Sequence, residues 1–119
     1  MPPLESNAMQ VLPRYIPCLL VDGGKLVKTV RFRAPKYIGD PMNAVRIFNE
    51  KGADELIFLD IGARRDGRPP DLELIRQIAS QCFMPFAYGG GITTLEQIRA
   101  VLGGGAEKVV LNSAAFATP

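Results

Sequence analysis

A chain of 119 residues, 47% hydrophobic and 22% charged with a formal net charge of +2, has the make-up of one globular domain: too apolar to be disordered, and without the run of roughly 20 apolar residues that a membrane-spanning helix needs. It contains no histidine, which removes the commonest general base and most transition-metal sites and leaves acid–base chemistry to Asp, Glu, Lys or Tyr. Charges are scattered rather than gathered into a basic stripe, so no nucleic acid is expected as a partner, and the absence of a signal-peptide pattern at the start points to a cytoplasmic protein.

Residues 1–12 lack periodicity and read as a leader or tag ahead of a domain over residues 13–119. Short apolar runs follow, each succeeded by turn residues and a segment of helical period, the pattern of alternating β and α units. The first run, residues 15–21, leads to Asp22-Gly23-Gly24 and a long loop carrying Lys28. Asp40-Pro41 caps and opens a helix with Met42, Val45 and Phe48 on one apolar face, and Gly52 supplies a left-handed stop. A second run, residues 55–61, enters Arg64-Arg65-Asp66-Gly67-Arg68, which reads as a flexible charged loop able to steer anions rather than as a site. Asp71 caps the next helix, with Leu72, Ile75, Ile78, Ala79 and Cys82 inward. The third run, residues 85–88, ends in Gly89-Gly90-Gly91. Thr94 and Gln97 then form a capping box for a helix with Leu95, Ile98 and Leu102 inward, stopped by Gly103-Gly104-Gly105. The fourth run covers residues 108–112. Cys18 and Cys82 have neither disulfide-framework nor zinc-site spacing and are expected as buried thiols; no metal and no cofactor is expected.

Near-continuous apolarity in these runs suits parallel strands covered on both faces. Residues 52–60 echo residues 105–112, each a helix stop leading into an apolar strand with a polar end, so the unit is two β-α pairs used twice. Right-handed connections curve four such units into half of a (β/α)8 barrel, which closes at about 200 to 250 residues. The expected fold is therefore α/β, half of a (β/α)8 barrel with about four parallel strands. It would leave two open parallel edges, and self-association through them is expected.

In such a barrel, chemistry gathers at the carboxyl ends of the strands. The glycine triplet, with Ser113 and the start of a fourth helix alongside, brings backbone N–H groups where an anion could sit, and reads either as a phosphate pocket or as a tight turn with no ligand. Asp60 ends an apolar strand; it either faces the barrel mouth or serves as a helix cap or loop hydrogen-bond acceptor. Lys28 either reaches a phosphate or carboxylate or is merely solvated.

Residues 16–28, Gly39-Asp40-Pro41, residues 54–61, Gly89-Gly90-Gly91-Ile92 and residues 108–115 together resemble the cyclase subunit family of imidazole glycerol phosphate synthase, in order over about residues 13–119. The resemblance implies a (β/α)8 barrel of two similar halves, with this chain as the amino-terminal one. It also implies a glutaminase subunit as partner, which supplies ammonia through the barrel to a phosphorylated, nucleotide-derived substrate. By the same resemblance Gly91, Asn112 and Ser113, with Gly90 beside them, form a phosphate site, and Asp60 and Lys28 are candidate catalytic residues at the barrel mouth. Leu20 occupies the position of the family's first catalytic aspartate and cannot transfer protons. A paralogous branch that amidates nucleotide-linked sugars in surface-polysaccharide synthesis is similar at this position. The sibling phosphate-sugar isomerase and a non-catalytic phosphate-binding half-barrel are the remaining alternatives.

Overall fold

Four strands run parallel: β1 (Cys18–Asp22), β4 (Leu56–Asp60), β5 (Phe86–Gly89) and β6 (Lys108–Val110). The structure, a computed structural model, describes residues 13–28 and 36–111; the leader expected over residues 1–12, and Asn112 and Ser113, lie outside them. Two further strands, β2 (Lys25–Lys28) and β3 (Lys36–Gly39), are antiparallel, and the six-stranded sheet has the order β3-β2-β1-β4-β5-β6. The parallel strands succeed one another in chain order without a reversal, as in a barrel rather than a doubly wound sheet. This is mixed α/β architecture with the arrangement of a partial (β/α)8 barrel.

Helices fill the connections: α1 (Pro41–Lys51), the short α2 (Ala63–Asp66) and α3 (Leu72–Gln81), and α4 (Leu95–Gly103). Their starts follow the sequence. Asp40 accepts the Met42 N–H at 2.9 Å, Asp71 accepts the Leu74 N–H at 3.1 Å, and Thr94 and Gln97 close a capping box. Gly52 ends α1 at φ +73°, a conformation that costs other residues strain. Val45, Leu56, Phe58, Ile75, Ile78, Tyr88 and Val101 are fully buried between the sheet and these helices. Burial along β4 alternates, with Leu56 and Phe58 buried towards the helices and Ile57 and Leu59 only half-buried on the other face.

Several expectations are corrected. The long loop after the first strand is a hairpin, because Gly23 and Gly24 take φ of +63° and +81°, as a two-residue turn of the primed type requires. The hairpin covers the free side of β1, so of the two open parallel edges only that of β6 remains without a neighbour among the described residues. The first strand begins at Cys18 rather than at residue 15: Pro17 has no N–H for the ladder, although its carbonyl accepts from Ile57 at 3.0 Å. Cys18 is exposed, since alternation turns it with Leu20 to the face opposite the helices, and Cys82 is only part-buried. On α4 the inward residues are Val101 and Ile98, while Leu95 and Leu102 are exposed. The charged run of residues 64–68 is not a free loop either; it holds α2 and an ordered ion-pair network.

Candidate functional site

Two strands end in buried acids. Asp22 closes β1 and Asp60 closes β4, with side chains 6% and 2% exposed. A buried carboxylate is costly unless ion-paired or richly hydrogen-bonded, and the segment following β4 supplies the partners. Arg68 Nη1 donates to Asp60 Oδ2 at 2.9 Å, while Nη2 donates to Asp22 Oδ1 at 3.1 Å and Asp60 Oδ1 at 3.4 Å. One guanidinium fork thus ties the carboxyl ends of β1 and β4 together. Arg65 Nη2 reaches both Asp22 oxygens at 3.0 and 3.1 Å, and its Nε donates to Asp66 at 2.8 Å. The bond from Arg65 is the main cause that holds the exposed Asp66 carboxyl down at about 2. The bond to Asp60 is the main cause that raises Arg68 above its ordinary value.

Asp60 accepts the Gly62 N–H at 3.0 Å as a loop hydrogen bond, carries the ion pair with Arg68 and lines a cleft. Gly62 is required by the same network, since a Cβ there would collide with the Asp22 carboxylate and the Arg68 guanidinium.

The glycine triplet packs directly on this network. A Cβ at Gly90 would stand 2.5 Å from the Asp60 carbonyl oxygen; one at Gly91 would run into the Arg68 carbonyl and lie 3.0 Å from the Pro69 carbonyl carbon. Both also have positive φ, +117° and +73°. The triplet therefore has a packing requirement of its own, whatever it binds. Between α2, the glycine loop and the start of α4 lies a cleft of about 620 Å³ lined by Asp60, Arg64, Arg68, Gly90, Gly91 and Thr93 among others, with Val110 on its β6 side. At the start of α4 the Thr93 and Thr94 N–H groups donate to Gln97 Oε1 at 2.6 and 3.2 Å, so part of that helix terminus is satisfied internally.

The structure thus brings Asp60, Gly90 and Gly91 to one cleft. Asn112 and Ser113 follow β6, whose Val110 reaches that cleft, but they lie outside the described residues. Lys28 does not join them. Leu20 pairs with Val27 across the antiparallel hairpin, so Lys28 lies one residue further towards the amino end of β1, exposed and in register with Lys36. Leu20 itself is half-buried on β1, between Val27 and Leu59 in the sheet register. Among the described residues no group of Cys, Asp or Glu side chains is arranged to hold a metal ion, and no helix is long and apolar enough to cross a membrane.

Sequence reasoning missed Arg65 and Arg68 as site residues. The signal was present: two acids ending apolar strands demand cations, and the nearest stand in the loop after the second. It also missed a cluster at the opposite end of the sheet, where Glu55, 7% exposed, is held by Lys108 at 3.4 Å and Arg14 at 3.6 Å. These residues are far apart in the chain and meet because β1 lies beside β4, bringing Arg14 near, and because β4 and β6 flank β5, bringing Lys108 near.

Comparison with known proteins extends these observations. Residues 14–119 match the family model described as histidine biosynthesis protein. A Leptospira interrogans protein named "Putative imidazole glycerol phosphate synthase subunit HisF" is 56% identical over 107 residues, 90% of this chain and 42% of the relative. A Pseudomonas aeruginosa protein named as the corresponding putative subunit hisF2 is 58% identical over 103 residues, 87% of this chain and 41% of the relative. The imidazole glycerol phosphate synthase subunit HisF of Solidesulfovibrio magneticus is 49% identical over 106 residues, 89% of this chain and 41% of the relative. The chain spans about two fifths of the length of these curated relatives.

Proposed function

The chain belongs to the histidine biosynthesis protein family, and from that premise we propose that it supplies the amino-terminal half-barrel, over residues 13–119, of a cyclase-type synthase like imidazole glycerol phosphate synthase. The observation that carries this reading is the match of nearly nine-tenths of the chain to a subunit bearing that name. The complete barrel would take ammonia from a glutaminase partner and use it on a phosphorylated, nucleotide-derived substrate.

The cleft at the carboxyl ends of β4 and β5 suits that role. Gly90 and Gly91 leave backbone exposed beside it, and Asn112 and Ser113 follow the strand whose Val110 lines it; these four residues are the proposed phosphate site. Asp60 is the proposed acid–base group at the mouth, oriented by its ion pair with Arg68. Lys28 is the second candidate and would act only by reaching over the hairpin towards the mouth.

Leu20 favours a second reading, in which the same ammonia route serves amidation of a nucleotide-linked sugar. Ring closure to an imidazole needs proton transfers, for which a positioned acid or base typically supplies about 10² to 10⁴ in rate, and leucine supplies none. The deciding experiment joins this half to a compatible carboxyl-terminal half and adds ammonia. Negligible imidazole glycerol phosphate formation that rises with Leu20→Asp favours the sugar-amidating branch, whereas robust cyclisation with Leu20 intact favours histidine synthesis and removes the objection from Leu20.

A further inference from the structure

Arg64 and Arg68 line the cleft, Arg65 stands on α2 beside Arg64, and the three are not equivalent. Arg65 and Arg68 are committed to Asp22, Asp60 and Asp66 by hydrogen bonds of 2.8 to 3.4 Å. Arg64 stands on α2 between Ala63 and Arg65, lines the cleft, and makes no ion pair or side-chain hydrogen bond among the described residues.

The charge balance gives this difference a consequence. Asp22, Asp60 and Asp66 bring three negative charges and Arg65 and Arg68 two positive ones, so the network alone carries a surplus of one negative charge. An anion entering beside Asp60 would meet that surplus, and Arg64 is the residue of the cleft wall that cancels it. Recruiting Arg68 instead would take from Asp60, whose side chain is 2% exposed, its ion-pair partner among the described residues and leave Asp22 with Arg65 alone. Arg64 meets an anion without breaking any internal pair.

We propose that Arg64 is the ligand-facing cation of the cleft, pairing with a phosphate group of the substrate and so setting a preference for phosphorylated over unphosphorylated ligands. The inference rests on the phosphate reading of the Gly90-Gly91 loop. Arg65 and Arg68 act behind it, fixing the shape of the wall rather than touching the ligand.

The test is titration calorimetry of the full chain with inorganic phosphate at low and high ionic strength, comparing wild type, Arg64→Gln, Arg64→Lys, Ser113→Glu and Arg76→Gln. Arg76 sits on α3, exposed, paired with Glu73 at 3.5 Å and not among the cleft-lining residues, so its loss removes the same charge without touching the cleft. Loss of one charge-assisted contact predicts about tenfold weaker phosphate binding for Arg64→Gln, partial recovery in Arg64→Lys, no more than a marginal change for Arg76→Gln, and a difference that shrinks as salt screens it. Equal affinity of Arg64→Gln and wild type, with binding lost in Ser113→Glu, overturns the role of Arg64 and leaves the phosphate site standing. Weakening by Arg64→Gln with Ser113→Glu unaffected supports Arg64 and moves the anion away from Ser113. A wild-type chain that binds no phosphate at millimolar concentration overturns both.

Discussion

Gly62 has the least room to change in the arginine–aspartate network: it has an ordinary φ of −95°, yet any Cβ would enter the space of the Asp22 carboxylate and the Arg68 guanidinium. Gly62→Ala should destabilise the fold by about 2 kcal/mol, the scale for disturbing a buried charge network. Gly103→Ala, at a helical position with open space around it, should be neutral or slightly stabilising; urea unfolding of both variants separates a packing requirement from a general dislike of substitution. Tyr88 makes a second residue-level case. Its ring is fully buried and its hydroxyl accepts the Asp71 N–H at 3.3 Å. Burial chiefly, with the nearby Asp60 charge adding to it, pushes the phenol up to about 12. Because the folded value lies above the unfolded value of about 10, the contribution of Tyr88 to stability is complete below the unfolded value and is lost as pH rises through the folded one. The tyrosinate absorbance difference between wild type and Tyr88→Phe should show this late titration; a Tyr88 component that ionises with an exposed tyrosine would contradict the buried placement. That Asp60 needed a partner was legible from its place at the end of an apolar strand. Which cation supplies it was not, because Arg64, Arg65 and Arg68 differ only in how α2 and the Gly67 turn present them.

Among the elements, α4 shows how a correct helix can be given the wrong face. Leu95, Ile98 and Leu102 satisfy helical spacing, and so do Ile98 and Val101; adjacent residues are turned about 100° apart, and only the position of the sheet selects between them. Val101 is completely buried and Leu102 is 42% exposed. Val101→Ala should therefore cost about 2 kcal/mol, and Leu102→Ala less than about 0.5 kcal/mol despite deleting more atoms, as thermal or chemical unfolding would register. The caps of α1, α3 and α4 were readable because capping is local chemistry, a side-chain oxygen meeting an N–H two or three residues on. The turn of the β1–β2 hairpin is equally local, signalled by Gly23-Gly24, but β2 is only four residues long and bracketed by Lys25 and Lys28, so its sequence has the look of a loop.

Over the whole molecule, the helix-side core is complete while the other face of the sheet is half covered, with Cys18 exposed and Ile57 and Leu59 half-buried, and β6 has an unpaired edge among the described residues. Exposed apolar surface beside an open strand edge favours association. Light scattering of this 119-residue chain at micromolar concentration should detect a dimer or larger species, and Val110→Lys, which puts a charge on the exposed β6, should shift it towards monomer. A stable wild-type monomer would show that the uncovered face is tolerated in water.

By itself the sequence determined what depends on neighbours along the chain: the order of the four parallel strands and of α1, α3 and α4, the three helix caps and the α/β class. Hydrogen bonding and periodicity act over a few residues, so composition and spacing suffice for these. Only the tertiary structure decided that Arg68 clasps Asp22 and Asp60, that Glu55 meets Arg14 and Lys108, that Lys28 stands apart from the cleft, and which side of α4 is buried. Each of those depends on strand register and on the distance between elements, and a shift of one residue in register turns a side chain to the opposite face.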